Sequence, residues 1–242
     1  MADSPNVNAR KVLTVSGILN WVFLAQPYQS KKYPNQAPRY KTQVMLNPLA
    51  PADAAEIEKV KLAQREVAAA TWGDNWQQVL ARMGAKDELV LHNGDLQQDD
   101  NAKGMVILNA AVKKPPATLV TLGGGALKAA IAANPNADWA KKALADNAQA
   151  ANVPTAPGHP MYPYSGCRGA VMFELYVYNK ESFVCQLMGV QFLEHGKPFA
   201  GGGGGRIARV DEFGINPTDA DAAIPMSQAD TGAGAGAASG LF

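Results

Sequence analysis

The chain has 242 residues, of which 47% are hydrophobic, so wholesale disorder is excluded and one domain with insertions or two small ones are allowed. Two cysteines and three separated histidines exclude a disulfide framework and a structural zinc site. No apolar run approaches the ~20 residues of a membrane span, and the polar start Met1 to Lys11 lacks a secretory signal, so a cytoplasmic protein without cofactor, metal or membrane is expected.

The net charge of +1 hides an asymmetry. Residues 211–242 hold five acids (Asp211, Glu212, Asp219, Asp221, Asp230) and no Lys or Arg; the remaining 210 residues hold 22 basic and 16 acidic side chains. A body of +6 with a tail of −5 fits a polyanion ligand and a competing or recruiting tail; it also fits a solubilising tail on a near-neutral domain.

Residues 1–10 read as a polar arm. Lys11 to Leu24, KVLTVSGILNWVFL, is β-branched and aromatic and predicts a strand, with Gly17 marking a bulge or bend. Pro27, Pro34 and Pro38 make Gln26 to Pro38 a loop. Tyr40 to Leu46 predicts a second strand, ended by Asn47-Pro48. Pro51 opens a helix with Asp53, Glu56 and Glu58 near its start, and Ile57, Val60, Gln64 and Val67 share one face. A shorter helix, Asn75 to Met83, stops at Gly84. His92 to Lys103 is a polar loop, Met105 to Val112 a third strand, and Thr118 to Leu122 a short extension of it. Residues 123–158, rich in Ala, Asn and Gly, read as an insertion with helical pieces around Trp139 and Leu144, and not as a second domain.

Arg168 to Phe192 carries the clearest pattern. Val171, Phe173, Leu175 and Val177 alternate with Met172, Glu174, Tyr176 and Tyr178; Asn179 to Ser182 turns the chain, and Phe183 to Phe192 returns. If Asn179 faces Ser182, Cys185 faces Tyr176, about 30 Å along the strand from Cys167 at roughly 3.3 Å per residue, too far for a disulfide. Five glycines at 201–205 read as a linker, Ile207 to Phe213 as one further strand, and 214–242 as a disordered tail tipped by Leu241-Phe242.

Candidate chemistry concentrates around the proline-broken loop. Trp21, Phe23, Tyr28, Lys31, Lys32, Tyr33, Arg39, Tyr40 and Lys41 lie within 21 residues of a chain that is only 7% aromatic. Cations along phosphates and flat rings under bases are what a single-stranded nucleic acid needs; a surface loop whose tyrosines cap the core is the competing explanation. Trp21, Tyr33 and Tyr40 are the expected stacking rings, and Lys31, Lys32, Arg39 and Lys41 the expected phosphate contacts. Tyr28 stands with them, and Tyr176 and Tyr178 add rings on the hairpin's outer face. Lys113 and Lys114 read as a solvated pair or as phosphate contacts at a groove edge, and Arg168 joins the candidate DNA-binding set. Asp95, Asp99 and Asp100 raise a metal-dependent nuclease as an alternative, but their spacing fits no calcium loop and Asp/Asn/Gly-rich turns account for them. GGGGGR at 201–206 lacks the ending of a phosphate loop, and no nucleophile–base pair stands out, so no catalytic residue and no enzyme activity are expected.

Tyr164-Ser165-Gly166-Cys167 followed by MFELYVYNKESFVCQLMGVQFLEHGKPFAGG resembles a family of tailed-phage single-stranded DNA-binding proteins, long labelled a domain of unknown function. The shared features are a Tyr-Gly-Cys step, a strand ending Tyr-x-Tyr-Asn, a return strand with Gly-Val-x-Phe and an x-x-Gly-x-Pro turn. The strand from Lys11, the Asn-Pro exit after Tyr40 to Leu46, Asn93-Gly94-Asp95 and the Met105 strand fall in matching order. The resemblance spans about residues 10–122 and 160–213. It implies a mainly β fold with inserted helices (α+β): an oligonucleotide-binding (OB-fold) five-stranded barrel over 11–213 that coats single-stranded DNA without strong sequence preference during phage DNA replication or recombination, in the host cytoplasm. It also implies a tail at 214–242 presenting Phe242 to a polymerase or helicase, and it allows a homo-oligomer. A virion structural protein is the alternative in a different class.

Overall fold

A computed structural model describes residues 9–30 and 34–199. The expected strand after the glycine linker, the acidic tail with Phe242, and Lys31, Lys32 and Tyr33 lie outside these residues.

Eight strands and four helices are present among the described residues. In chain order they are β1 (Arg10–Tyr28), β2 (Arg39–Leu46), α1 (Pro51–Trp72), α2 (Trp76–Gly84), β3 (Leu91–Asn93), β4 (Val106–Val112), β5 (Ala117–Gly123), α3 (Gly124–Ala133), α4 (Asp138–Ala145), β6 (Ala150–Pro154), β7 (Arg168–Tyr178) and β8 (Ser182–Glu194).

Five of the strands close on themselves. β1 pairs antiparallel with β2 and with β7, β2 with β4, and β7 with β8. A parallel contact between β4 and β8, Ala111 beside Gln186, completes the ring. The order β1–β2–β4–β8–β7–β1 is an OB-type Greek-key barrel. One circuit from Phe23 through Lys41, Ala111, Gln186 and Glu174 returns to β1 at Val12, eleven residues earlier. That stagger is the tilt that closure demands. Three strands extend the barrel: β3 pairs with the start of β4, β5 runs parallel to the end of β8, and β6 pairs with β5.

The core fills the barrel and its α1-covered end. Val15, Leu19, Val44, Leu46, Leu108, Val171, Phe173, Leu175, Leu187 and Val190 are at most 2% exposed. Ile57, Val60, Gln64 and Val67 do form the buried face of α1, and the buried Gln64 is satisfied because its Oε1 accepts from Val90 N at 3.0 Å. Buried Asp53 accepts from Asn47 N at 3.0 Å and from Arg168 Nη2 at 2.7 Å, tying the start of α1 to β7.

Four local expectations change. Gly17 is not a bulge: it pairs regularly with Gly169. A Cβ at Gly17 would stand 2.6 Å from Val44 Cγ1, and one at Gly169 2.6 Å from Leu19 Cδ1, so close approach inside the barrel accounts for both glycines. The irregularity of β1 falls later, between Asn20 and Phe23. Residues 118–122 do not extend β4. Pro115-Pro116 breaks the chain, and β5 crosses to β8. The β7–β8 turn holds three residues, with Asn179 and Lys180 at φ 51° and 59°, so Tyr178 faces Ser182 and Cys185 faces Leu175 rather than Tyr176. The expected offset is recovered beyond Met188, where β8 gains one residue on β7. Cys167 and Cys185 form no disulfide with each other; burial pushes the Cys185 thiol up to about 12. Within 123–158, α3 and α4 lead to β6, which returns to the same sheet.

Candidate nucleic-acid interface

A bulge in β1 makes the site. Before it, odd-numbered residues (Leu13, Val15, Leu19) are buried; after it, even-numbered ones are (Val22, Leu24). Side chains alternate faces along a strand, so one inserted residue exchanges inside for outside. Trp21 and Phe23 would otherwise point into the barrel. The bulge turns both rings outward, where they are half-buried.

The bulge needs special support. Trp21 has φ 48°, a left-handed conformation that costs a bulky residue roughly 1–3 kcal/mol. Its displaced backbone finds partners nearby. Asn20 Oδ1 accepts from Trp21 N at 2.9 Å, and Ser165 Oγ accepts from Val22 N at 3.2 Å. Leu19 exchanges backbone hydrogen bonds with the Gly166–Cys167 step, each at 2.8 Å. Thus the Tyr164–Cys167 segment clamps the bulged stretch of β1.

Beside the bulge a row of rings runs along the outer face. The Trp21 and Phe23 centroids are 6.3 Å apart at 22°, and those of Phe23 and Tyr28 are 4.8 Å apart. Lys41, opposite Phe23 in the β1–β2 register, places Nζ 3.7 Å from the Tyr28 centroid, 5.2 Å from Phe23 and 5.7 Å from Trp21. Among the described residues no carboxylate pairs with Lys41, and burial lowers its pKa below the ordinary lysine value. Gln43, Asn109 and Ala111 continue this face across β2 and β4.

The 94–102 loop forms one wall. Asp99 Oδ2 accepts from Trp21 Nε1 at 2.9 Å and from Asn20 Nδ2 at 2.7 Å; its Oδ1 accepts from Asn101 N and Nδ2, each at 3.0 Å. Burial works to raise the Asp99 pKa, but the bonds from Asn20, Asn101 and Trp21 outweigh it and hold the carboxyl below its usual range. Gln43 Nε2 donates to Gln97 Oε1 at 3.2 Å, a second tie between β2 and the loop. Asp95 and Asp100 serve the loop too. Asp95 Oδ1 accepts from Gly104 N at 2.7 Å, and Asp100 pairs with Lys103 at 2.6 Å. No group of three potential metal ligands occurs among the described residues.

The candidates therefore divide. Trp21, Tyr28 and Lys41 converge. Phe23, absent from the expected stacking set, stands at the centre of the row. Arg39 is exposed beside Tyr28 in the register, and Lys113 and Lys114 are exposed just past the end of β4. Lys31, Lys32 and Tyr33 belong to the connection between Tyr28 and Arg39. Around them, Gln29 Nε2 donates to the Pro34 and Gln36 carbonyls at 3.1 and 2.9 Å. Tyr40 occupies the even register of β2, that of buried Thr42, Val44 and Leu46, and not the outer row. Its hydroxyl reinforces burial in raising the Tyr162 pKa. Arg168 is committed to Asp53. Tyr176 and Tyr178 lie beside the start of β1, with Tyr176 under the Arg10 guanidinium at 4.6 Å. Asn20 and Gln43, absent from the candidates, carry no local signal, and the nuclease alternative does not foresee the Asp99 bond to Trp21, because these contacts join partners distant in sequence.

The family model described as Enterobacter phage Enc34, ssDNA-binding protein matches residues 10–223. The chain belongs to this family. Among solved structures, the single-stranded DNA-binding protein of bacteriophage Enc34 in complex with ssDNA is similar at 13% identity, TM-score 0.52, covering 78% of this chain and 89% of that one. The same phage protein without that description of DNA matches at 13% identity and TM-score 0.50, covering 81% and 86%. No curated protein matches the chain in sequence. At this identity the likeness is one of fold, and it agrees with the barrel topology. Among the described residues no helix is long and apolar enough to cross a membrane.

Proposed function

We propose that this chain coats single-stranded DNA without covalent chemistry and with little sequence preference, in phage replication or recombination within the host cell. The observation that carries the reading is the outward row Trp21, Phe23 and Tyr28 with the Lys41 ammonium over it, which no carboxylate among the described residues pairs. Base–ring stacking is indifferent to base identity, since every base has a π-face, and a cation beside the rings meets the backbone. The row lies where β1 leads into the β1–β2 connection, next to the β2–β4 face. In OB barrels the face of the second and third barrel strands and the first connection hold oligonucleotides. Arg39, Lys113, Lys114 and the connection's Lys31, Lys32 and Tyr33 would continue the path on either side. Membership in the Enc34 ssDNA-binding family supports the same ligand.

Fluorescence anisotropy with labelled oligo-dT, duplex and RNA across a salt series tests this. Oligo-dT should bind far more tightly than duplex. Lys41→Gln should lower the log–log salt slope by about 0.7, one phosphate contact on a single strand. Equal affinity for duplex and oligo-dT, or an unchanged slope, would overturn the assignment.

A further inference from the structure

Trp21 is the only ring of the outer row whose edge is held by a carboxylate among the described residues. Its nearest ring partner, Phe23, is 6.3 Å away between centroids, and Lys41 is 5.7 Å away. The ring is only partly buried, on a backbone at φ 48°, so keeping one rotamer needs a specific reason. Hydrogen bonds supply that reason. Trp21 N donates to Asn20 Oδ1, Asn20 Nδ2 donates to Asp99 Oδ2, and Trp21 Nε1 donates to the same Asp99 oxygen. Backbone and side chain of one residue are thus closed into a single ring of three bonds. Asp99 is itself anchored by two donors from Asn101.

We propose that Asp99 is a positioning residue for DNA binding: it clasps the edge of the Trp21 indole and so holds the ring face open to an incoming base. The proposal rests on the stacking reading above. Gripping an indole by its N–H edge places the contact at the rim of the ring and not on a face. The clasp also fixes the rotamer before DNA arrives, so the ordering is not charged against binding. The location of a carboxylate beside a polyanion path is otherwise unfavourable. Here four donors share its charge, and the group serves the ring rather than the ligand.

A double-mutant cycle tests the clasp. Phenylalanine keeps a ring for stacking but lacks the indole N–H, so Trp21→Phe removes the bond without removing the platform. Asp99→Ala should weaken oligo-dT binding about two- to twelvefold in the Trp21 background, the scale of one newly immobilised side chain. In the Trp21→Phe background it should cost nothing. Removing a negative charge, or loosening the 94–102 loop, acts equally in both backgrounds and cancels in the cycle. Asp99→Asn, whose amide oxygen still accepts from Nε1, should recover most of the loss. If Asp99→Ala folds poorly, the wild-type protein gives an independent reading. The ¹⁵N indole resonance that disappears in Trp21→Phe should exchange slowly with solvent despite the ring's exposure. An equal cost in both backgrounds, no cost in either, or fast indole exchange would overturn the clasp. Unchanged affinity in Trp21→Ala would instead overturn the stacking role itself, a separate failure.

Discussion

Among the described residues, two places on the outer barrel surface join aromatic rings to a cation, and they differ in whether the cation has a carboxylate partner. Near the start of β1, Arg10 stacks over Tyr176 at 4.6 Å, and Glu174 takes its guanidinium at 2.6 Å. Past the bulge of β1, Lys41 lies over Tyr28, Phe23 and Trp21 with no carboxylate partner among the described residues. The first cluster is electrically complete; among the described residues the second has no anion. Eleven residues of β1, about 35 Å of strand, separate Arg10 from Trp21, so one short oligonucleotide contact cannot span both. Residue types alone do not mark an interface. What marks it is an uncompensated charge beside rings that the backbone has been distorted to expose.

The largest effect expected from this contrast concerns the rings. Trp21→Ala with Phe23→Ala should cost about 2–6 kcal/mol of oligo-dT affinity, taking about 1–3 kcal/mol per stacked base. Tyr176→Ala with Tyr178→Ala should cost less than about 1 kcal/mol by the same measure. Anisotropy titrations on all four proteins decide it. Comparable losses from both pairs would erase the distinction and extend the DNA path to the β7–β8 end of the barrel.

Next comes a cation that composition marks as a DNA contact and the structure places in the scaffold. Arg168 Nη2 donates to the buried Asp53 at 2.7 Å, and Asp53 also holds Asn47 N at the start of α1. Arg168→Ala should destabilise the fold by about 1.5–3 kcal/mol, the scale of a hydrogen bond to a charged group whose partner stays buried. The salt slope of oligo-dT binding should not move. Chemical denaturation and the salt series together separate the roles. A flattened slope with unchanged stability would return Arg168 to the interface.

The same particulars explain what was legible in the sequence. Val171 to Tyr178 alternates without interruption, so the hairpin, its buried face and its exposed tyrosines are readable by period alone. The 51–72 helix is readable from its proline start and its Ile57–Val60–Gln64–Val67 face. The bulge is not readable. It lies four residues beyond the glycine that seemed to announce it, at a tryptophan, which seldom adopts a left-handed backbone. Its supports come from Ser165 and Asp99, 143 and 78 residues away in sequence. With the bulge unseen, strand alternation past Asn20 is inverted on paper, and it gives no signal that Phe23 faces outward. Tyr40 shows the complementary case. It sits in the right neighbourhood, but β2 keeps an unbroken period that turns its ring to the buried register.

The smallest expected effect is on pH dependence, and it tests whether Lys41 differs from the other lysines of the surface. Burial disfavours its charged form, so in the free protein Lys41 gives up its proton below the usual lysine value near 10.4. A phosphate beside it favours the ammonium. Binding DNA to a partly deprotonated Lys41 therefore takes up a proton, and affinity must fall as pH rises through the lowered pKa. Lys41→Arg retains its charge throughout, because the guanidinium does not titrate below pH 12. The ratio of Lys41→Arg affinity to wild-type affinity should therefore climb between neutral pH and about pH 10, by up to the two- to fivefold expected from losing one exposed cation–π or phosphate contact of ~0.5–1 kcal/mol. A ratio that stays flat over this range would mean that the cation above the rings is solvated like any other, and that the row alone, without its charge, distinguishes the two ends of the barrel.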